Sequence, residues 1–225
     1  MKRILAAAIA AAIILSGCSL SSRPAESAPP TGTPSPSPTP VVTPTPAPEP
    51  SDDELVLVRD YIPGIFIDLK YATTDNFTGQ VIYDSDEAYL RYGTVKKLLA
   101  AQNELSGRGL SLKIWDAYRP VSAQFKLWEI CPNPVYVSDP NNGYSKHSRA
   151  NTVDITLVTS TGESIPMPSG FDDFTSLADR DYSDVSAEAA ENARLLESVM
   201  VENGFVPYSG EWWHYSDSVS YDVYG

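Results

Sequence analysis

Residues 152–158 read Thr-Val-Asp-Ile-Thr-Leu-Val and form the clearest strand pattern in the chain. Val153, Ile155 and Leu157 alternate with polar side chains, which is the period-two pattern of a β-strand with one apolar face. The alternation places Asp154 on the face opposite the aliphatic side chains. Such a carboxylate can be a hydrogen-bonded structural residue, or it can belong to a site on that second face.

Helices and further strands are predicted before and after this strand in the sequence. Apolar residues at helical spacing from Val95 to Leu105, followed by Gly107, predict a helix. Ser186 is suited to cap a second helix that reaches about Asn203 and stops at Gly204. The further predicted strands are 55–58 and 65–67, joined by a turn at Pro63-Gly64, and then 112–115, 205–208 and 212–215. Helices and strands occur along the chain without a repeating β-α-β order. We therefore expect an α+β fold: a single small domain with an antiparallel sheet flanked by helices.

The chain contains only two histidines, His147 and His214, and each has a carboxylate at a site-like spacing. His147 lies seven residues before Asp154, and His214 lies three residues after Glu211. A lone histidine is more often a surface or core residue than a ligand, but both spacings together are improbable by chance. A hydrolytic zinc site needs about three such ligands and one open position. His147, Asp154 and His214 are therefore the predicted ligands.

Glu211 can serve this site in two ways. It can act as the general base that takes a proton from the attacking water, or it can be a fourth ligand that closes the site and makes it structural. Residues three apart on a regular strand face opposite sides, so we expect a bend or bulge near Trp212 that turns Glu211 and His214 to one cavity. Trp212 and Trp213 can equally be core residues.

Arg119 is the candidate for stabilising a developing oxyanion. It lies in Asp116-Ala117-Tyr118-Arg119-Pro120, at a predicted junction between a strand and a helix that continues through Phe125 and Trp128. A fixed positive donor at such a point can stabilise the transition state of acyl transfer. A surface salt bridge is the alternative for the same residue.

These segments together resemble the VanX-type D-Ala-D-Ala dipeptidases, a branch of the zinc D,D-peptidases that also include D,D-carboxypeptidases. The similarity runs from about Leu55 to Tyr215. The motifs are Asp68-Leu69-Lys70-Tyr71-Ala72-Thr73, Asn76-Phe77-Thr78-Gly79, Trp115 to Pro120, Ser145-Lys146-His147-Ser148-Arg149, Asp154, Ile165-Pro166-Met167, Phe171-Asp172 and Glu211-Trp212-Trp213-His214-Tyr215.

The resemblance implies one Zn²⁺ held by His147, Asp154 and His214. It also implies Glu211 as general base and Arg119 as stabiliser of the tetrahedral intermediate. Tyr71 and Ser145 would line the dipeptide pocket. The implied fold is a small α+β domain on an antiparallel sheet, and the implied reaction is hydrolysis of a small D,D-dipeptide.

Two departures from the family pattern concern the loops around the site. The family usually has glycine where this chain has Ala150, and alanine would be strained there if the backbone needs a positive φ. The segment from Glu129 to Tyr144 is shorter than in typical members. D,D- or L,D-carboxypeptidase action on peptidoglycan stem peptides is therefore an open alternative, as is a non-catalytic zinc lipoprotein that binds cell-wall fragments.

The N-terminal sequence predicts export. Residues 1–17 have the charge order and brevity of a secretory signal, and Leu15-Ser16-Gly17-Cys18 resembles a bacterial lipobox. Cys18 would then carry the lipid, although ordinary cleavage that leaves a free thiol is the alternative. Residues 18–51 are rich in Pro, Ser and Thr and predict an extended tether to the membrane. The predicted catalytic domain spans 52–225.

The composition limits the partners further. The formal net charge of -13 argues against nucleic acid, because phosphate binding relies on basic patches. Cys131 is the only cysteine besides Cys18, so we expect no disulfide framework and a buried or half-buried structural thiol. The expected partners are a small D,D-dipeptide or stem peptide and, through the lipid anchor, the membrane of a bacterial cell.

Overall fold

The computed structural model describes residues 48–225. The predicted signal peptide, the lipidation site at Cys18 and the tether up to residue 47 lie outside the described residues and stay predictions. In the part of the chain that is described, no helix combines the length and the apolar character needed to cross a bilayer.

The described residues form one α+β domain, as predicted. Its strands are β1 (Leu55–Leu57), β2 (Phe66–Ile67), β3 (Tyr89–Arg91), β4 (Leu110–Asp116), β5 (Thr152–Thr159), β6 (Phe205–Tyr208) and β7 (Glu211–Asp217). Its α-helices are α1 (Val58–Tyr61), α2 (Tyr92–Ser106), α3 (Val121–Ile130) and α4 (Ala187–Glu202), and short 3₁₀ turns occur at Lys70–Ala72, Lys146–Arg149 and Ser176–Ala178.

The main sheet has five strands in the order β2-β4-β5-β7-β6. The pairs β4–β5, β5–β7 and β6–β7 are antiparallel, whereas the short edge strand β2 runs parallel to β4. The prediction of an antiparallel sheet is therefore right for the centre and wrong at this edge. The strand predicted around Asp154 is the central one.

The predicted pair of strands at 55–58 and 65–67 is wrong as a pair. The first segment, β1, forms a separate two-stranded sheet with β3, and Val58 already begins the one-turn helix α1. Val58 is fully buried, and its backbone N–H donates to Ala88 O at 2.9 Å. A short apolar run is compatible with a strand and with a buried turn of helix. Its periodicity therefore could not distinguish these two structures.

Helices α2 and α4 pack against each other and cover one face of the sheet. The predicted cap of α4 is present, because Ser186 Oγ accepts a hydrogen bond from Ala189 N at 3.1 Å. Gly204, with φ +86°, ends this element as predicted. Val153, Ile155 and Leu157 of β5 belong to the core on the helical side. Asp154 therefore lies on the other face of the central strand.

Candidate metal centre and active site

The predicted ligands come together from three different elements. His147 lies on the 3₁₀ turn Lys146–Arg149, Asp154 lies on β5 and His214 lies on β7. Asp154 and His214 are direct partners in the β5–β7 pairing. One ligand atom from each of the three residues lies within 4.8 Å of the others. His214 is thereby brought next to His147 and Asp154, which precede it by 67 and 60 residues, on the face of the sheet opposite the aliphatic core.

The orientation of each group suits a bound cation. His147 Nδ1 donates to Ala117 O at 2.8 Å, which leaves Nε2 to face Asp154 Oδ2 at 3.3 Å. His214 Nδ1 lies 3.0 Å from Asp154 Oδ1. Two ligand atoms about 2.1 Å from a tetrahedral zinc ion are about 3.4 Å apart. The donor set and its spacing therefore fit a zinc ion.

The charges of this cluster favour the ligating form of Asp154. Burial by itself opposes ionisation, but the neighbouring His147 and His214 hold the pKa of the Asp154 carboxyl below its ordinary value. Burial also opposes protonation of His147, yet the carboxylates of Asp154 and Asp116 raise the pKa of this imidazole. Asp154 is thus an ionised carboxylate at neutral pH, the form that binds metals.

Glu211 stands beside this cluster. Its Oε2 lies 3.4 Å from His214 Nδ1, although the two residues are three apart on a strand. The predicted irregularity makes this possible: the β6–β7 pairing shifts register between the pairs Pro207–Tyr215 and Tyr208–Glu211. Glu211 is not one of the three converging residues. Burial and then the negative charge of Asp154 raise the pKa of Glu211 above its ordinary value.

Arg119 is buried, so the alternative of a surface salt bridge is wrong. The side chain is fixed by Asp116, whose Oδ2 accepts from Nη2 at 2.6 Å, and by Gln124, whose Oε1 accepts from Nη1 at 2.9 Å. The pKa values of Glu211 and His147 are both raised, Glu211 mainly by burial and His147 by Asp154 and Asp116, and the positive charge of Arg119 opposes both shifts in part. It sits where strand β4 gives way to helix α3, as predicted.

Asp116 connects Arg119 to the metal cluster, and sequence reasoning gave it no role. Its Oδ2 lies 3.5 Å from His147 Nδ1, and its Oδ1 accepts from Tyr83 Oη at 2.5 Å. The carboxylate is completely buried. The sequence shows that Asp116 belongs to the motif that ends at Pro120. It does not show the contacts with Tyr83 and His147, because these residues are more than 30 positions away.

Tyr71 and Asp172 form a second pair at the site. Tyr71 Oη donates to Asp172 Oδ2 at 2.8 Å, and the Arg119 guanidinium lies 5.0 Å from the centre of the Tyr71 ring. Burial, opposed by the hydrogen bond from Tyr71 and reinforced by the charge of Asp154, raises the pKa of Asp172 to about 7. Asp172 was missed as a functional candidate. Its only sequence signal was its place after Phe171 in a family motif.

Ser145 lines the cavity that contains Glu211 and His214, about 280 Å³ in volume. Its Oγ also accepts from His147 N at 3.3 Å and so caps the ligand-bearing turn. Tyr71 is not among the residues that line this cavity and contacts the site through Asp172. The segment Pro134–Ser138 forms the opposite wall.

Tyr136, which lines this cavity, belongs to a series of aromatic rings in contact. The ring centres of Tyr136 and Phe174 are 4.5 Å apart, and Phe174 contacts Phe77 at 5.4 Å. Phe77 in turn contacts Tyr71 at 6.4 Å. This chain of rings joins the loop after α3 to the loop that carries Asp172. The two tryptophans before His214, by contrast, are buried core residues.

Comparison with known proteins identifies the family to which the chain belongs. Residues 51–221 match the family profile described as D-ala-D-ala dipeptidase. A D-alanyl-D-alanine dipeptidase of Escherichia coli is 39% identical over 72% of this chain and 83% of its own length. The enzyme of the same name from Enterococcus faecium is 35% identical over 69% of this chain and 87% of its own length.

A third relative of that name, from Streptomyces coelicolor, is 36% identical over 72% of this chain and 91% of its own length. Among solved structures, one described as VanYB in complex with D-Alanine-D-Alanine matches with a TM-score of 0.40 and 15% identity, over 60% of this chain and 75% of that chain. This structural likeness carries no further argument.

The family match and the shared name of these relatives show that the protein is a metallopeptidase, and the candidate ligand cluster is consistent with that class. More particularly, the chain belongs to the D-Ala-D-Ala dipeptidase family.

Proposed function

We propose that this protein is a zinc-dependent dipeptidase that hydrolyses D-alanyl-D-alanine or a closely similar D,D-dipeptide. One observation carries the proposal: His147, Asp154 and His214 converge on one point, with the Glu211 carboxylate beside His214. Membership of the family and the names of its relatives support the choice of substrate.

The metal would be held by His147 Nε2, His214 Nδ1 and a carboxylate oxygen of Asp154. Zinc bound by such ligands lowers the pKa of water towards neutrality and polarises a peptide carbonyl. Three protein ligands would leave one ligand position open for this chemistry. The hydrogen bond from His147 Nδ1 to Ala117 O fixes the tautomer that presents Nε2.

Glu211 acts as the general base. It takes a proton from the attacking water and then delivers it to the nitrogen of the leaving D-alanine. A carboxylate is a better base at neutral pH when its pKa is raised, and burial together with Asp154 raises the pKa of Glu211. The Glu211 carboxylate lies 3.4 Å from His214 Nδ1 and is therefore next to the proposed metal position, where the water would react.

Arg119 stabilises the oxyanion that forms when the carbonyl is attacked. Asp116 and Gln124 hold the guanidinium in place before the substrate arrives. A positive donor that needs no reorganisation stabilises the transition state more than the ground state. Asp116 has a double role, because it also lies against His147 Nδ1.

The ends of a free dipeptide carry one positive and one negative charge, and the site offers a group for the positive one. The carboxylate of Asp172, held by the hydroxyl of Tyr71, pairs with the substrate ammonium. Ser145 lines the cavity and presents a hydroxyl to the bound peptide.

The proposed place of action is outside the cytoplasmic membrane, in peptidoglycan metabolism. Residues 1–17 would be removed on export, and Cys18 would anchor the mature protein to the bacterial membrane as a lipoprotein. The support for this anchoring is the N-terminal sequence alone. Treatment of intact cells with a protease, followed by detection of the lipid on Cys18 by mass spectrometry, tests it.

A substrate panel tests the proposed reaction. The purified, zinc-loaded full-length protein is assayed with D-Ala-D-Ala, L-Ala-L-Ala and a stem pentapeptide that ends in D-Ala-D-Ala, with Glu211→Gln as the matched control. We expect release of D-alanine from the D,D-dipeptide first and fastest. Faster cleavage of the pentapeptide would favour the carboxypeptidase alternative. Stoichiometric zinc without turnover of any D,D-peptide would favour the binding lipoprotein.

A further inference from the structure

Arg91, which lies outside the metal cluster, forms hydrogen bonds to the turn that carries His147. The Arg91 side chain is 8% exposed, and its Nε donates to Arg149 O at 3.1 Å. Its backbone N–H donates to Ala150 O at 2.8 Å. The same guanidinium donates from Nη1 to Asp53 O at 2.6 Å and from Nη2 to Asp222 O at 2.8 Å. Arg91 therefore joins the ligand-bearing turn to two segments that are distant in sequence.

The segment Tyr221–Tyr224 completes this arrangement. Tyr224 N donates to Ser148 O at 2.8 Å, and Arg149 Nη1 donates to Tyr221 O at 2.7 Å. The rings of Tyr224 and Tyr221 lie over the Arg91 guanidinium, with their centres 4.8 and 5.5 Å from its central carbon. Each of the carbonyls of Ser148, Arg149 and Ala150 thus has a donor from Arg91 or from this segment.

The turn needs such support because its own hydrogen bonds and backbone conformation stabilise it only weakly. It is a 3₁₀ turn of four residues, a conformation with poorer hydrogen bonds than an α-helix. It ends at Ala150, which is completely buried and left-handed with φ 58° and ψ 28°. A non-glycine residue persists there only when its surroundings hold it in place. His147 lies three residues before this strained position.

We propose that Arg91 and Tyr224 are positioning residues that clamp the His147 turn, so that Nε2 stays aimed at the metal position. The proposal rests on the proposed zinc site and deepens it. Neither residue belongs to the cluster of His147, Asp154 and His214, and neither lines the cavity of Glu211. Arg91 lies within the residues that match the family, 51–221, and Tyr224 lies just after them.

The zinc affinity of matched variants tests the clamp. Arg91→Met removes the guanidinium bonds and keeps the backbone N–H, whereas Tyr224→Pro removes the N–H that reaches Ser148. Zinc dissociation constants are measured on the full chain by competition with a chromophoric chelator. We expect about 10- to 100-fold weaker binding in both variants, the range found when groups that orient metal ligands are lost. Excess zinc should then return the hydrolysis rate towards that of the wild type.

Two controls separate positioning from general loss of stability. Tyr224→Phe keeps the ring and the N–H and should bind zinc like the wild type. Leu105→Ala opens a cavity in α2, far in sequence from the turn, and should lower the stability of the metal-free protein without weakening zinc binding. If Leu105→Ala weakened zinc binding as much as Arg91→Met, the clamp would be overturned in favour of global destabilisation.

The failure of the clamp and the failure of the proposed function give different results. Unaltered zinc affinity in Arg91→Met and Tyr224→Pro, together with normal binding and hydrolysis by the wild type, would overturn the clamp alone. A wild-type protein that bound no zinc would overturn the metal site and the clamp together.

Discussion

Asp154 and His214 face each other across the neighbouring strands β5 and β7, with His214 Nδ1 3.0 Å from Asp154 Oδ1. This pairing fixes two of the proposed ligands by backbone hydrogen bonds of the sheet. The third, His147, comes from a turn whose conformation depends on distant partners. The site thus combines two ligands fixed by the sheet with a third whose turn is held by side-chain and backbone hydrogen bonds from distant residues.

Replacing the proposed base separates metal binding from catalysis. Glu211→Gln keeps the size of the side chain and removes its ability to accept a proton, so we expect unchanged zinc content and a rate about 10²- to 10⁴-fold lower. Metal analysis and the rate of D-alanine release are measured on the same preparation. Unchanged activity would mean that another group is the base, and lost zinc would mean that Glu211 is a ligand.

The role of Arg119 is tested by a change that keeps its charge. Arg119→Lys removes the planar fork that contacts Asp116 and Gln124 together. We expect kcat to fall about 10²- to 10³-fold, the range for loss of an oxyanion donor, with a much smaller change in KM. Steady-state kinetics on the D,D-dipeptide measure both constants. A change in KM alone would assign Arg119 to substrate binding.

Asp172→Asn tests recognition of the substrate ammonium. The variant keeps an oxygen acceptor for Tyr71 but loses the negative charge, so we expect KM for the free dipeptide to rise. An N-acetylated dipeptide, which has no ammonium, should be a poor substrate for the wild type and should gain relative to the free dipeptide in the variant. The ratio of kcat/KM for the two substrates is the measurement, and equal ratios in both proteins would remove this role from Asp172.

The pKa of Asp172 also predicts a pH dependence of stability in the metal-free protein. Burial raises this pKa to about 7 from an ordinary value of 3.8, so the folded state holds the proton more tightly than the unfolded state. Relative to its value above pH 7, the unfolding free energy is therefore higher at acid pH, and this difference is lost as the pH rises from about 4 to about 7. Asp172→Asn should not change the unfolding free energy near pH 4 and should raise it above pH 7. Urea denaturation at both pH values measures this, and an equal effect at both would show that folding does not raise the pKa of Asp172.

Ala150→Gly should stabilise the protein by about 1 kcal/mol, because glycine adopts a left-handed conformation without a steric penalty. Ala150 has φ 58°, the region in which alanine is strained. The control is Ala193→Gly in the interior of α4, where φ is helical and glycine should be destabilising by about 1 kcal/mol or more. The denaturant midpoints of the two variants should move in opposite directions. A shift to lower stability in both would show that Ala150 is not strained.

The sequence predicted those parts of the molecule that depend on local pattern. The alternation around Asp154 located the central strand, and Ser186 with Gly204 located both ends of α4 within one or two residues. The ligand set was predicted because the chain has only two histidines and both have acidic partners. The irregular strand pairing between Glu211 and His214 was also predicted, because a regular strand would direct these two side chains to opposite faces.

What the sequence left unpredicted depends on contacts between distant residues. The parallel pairing of Phe66–Ile67 with β4 has no local signal, because two residues carry no periodicity. Asp116 holds Arg119 only three residues away, but its contacts with His147 and Tyr83, and that of Asp172 with Tyr71, join residues 31 to 101 positions apart. The strain at Ala150 could be expected from the family pattern, but its support by Arg91 could not.

The most direct test of the central claim is a crystal structure of the zinc-loaded protein with anomalous data at the zinc edge. We predict one peak about 2.0–2.2 Å from His147 Nε2, His214 Nδ1 and an Asp154 oxygen, with Glu211 outside the coordination shell. A peak elsewhere, or Glu211 bound to the ion as a fourth protein ligand, would contradict the account.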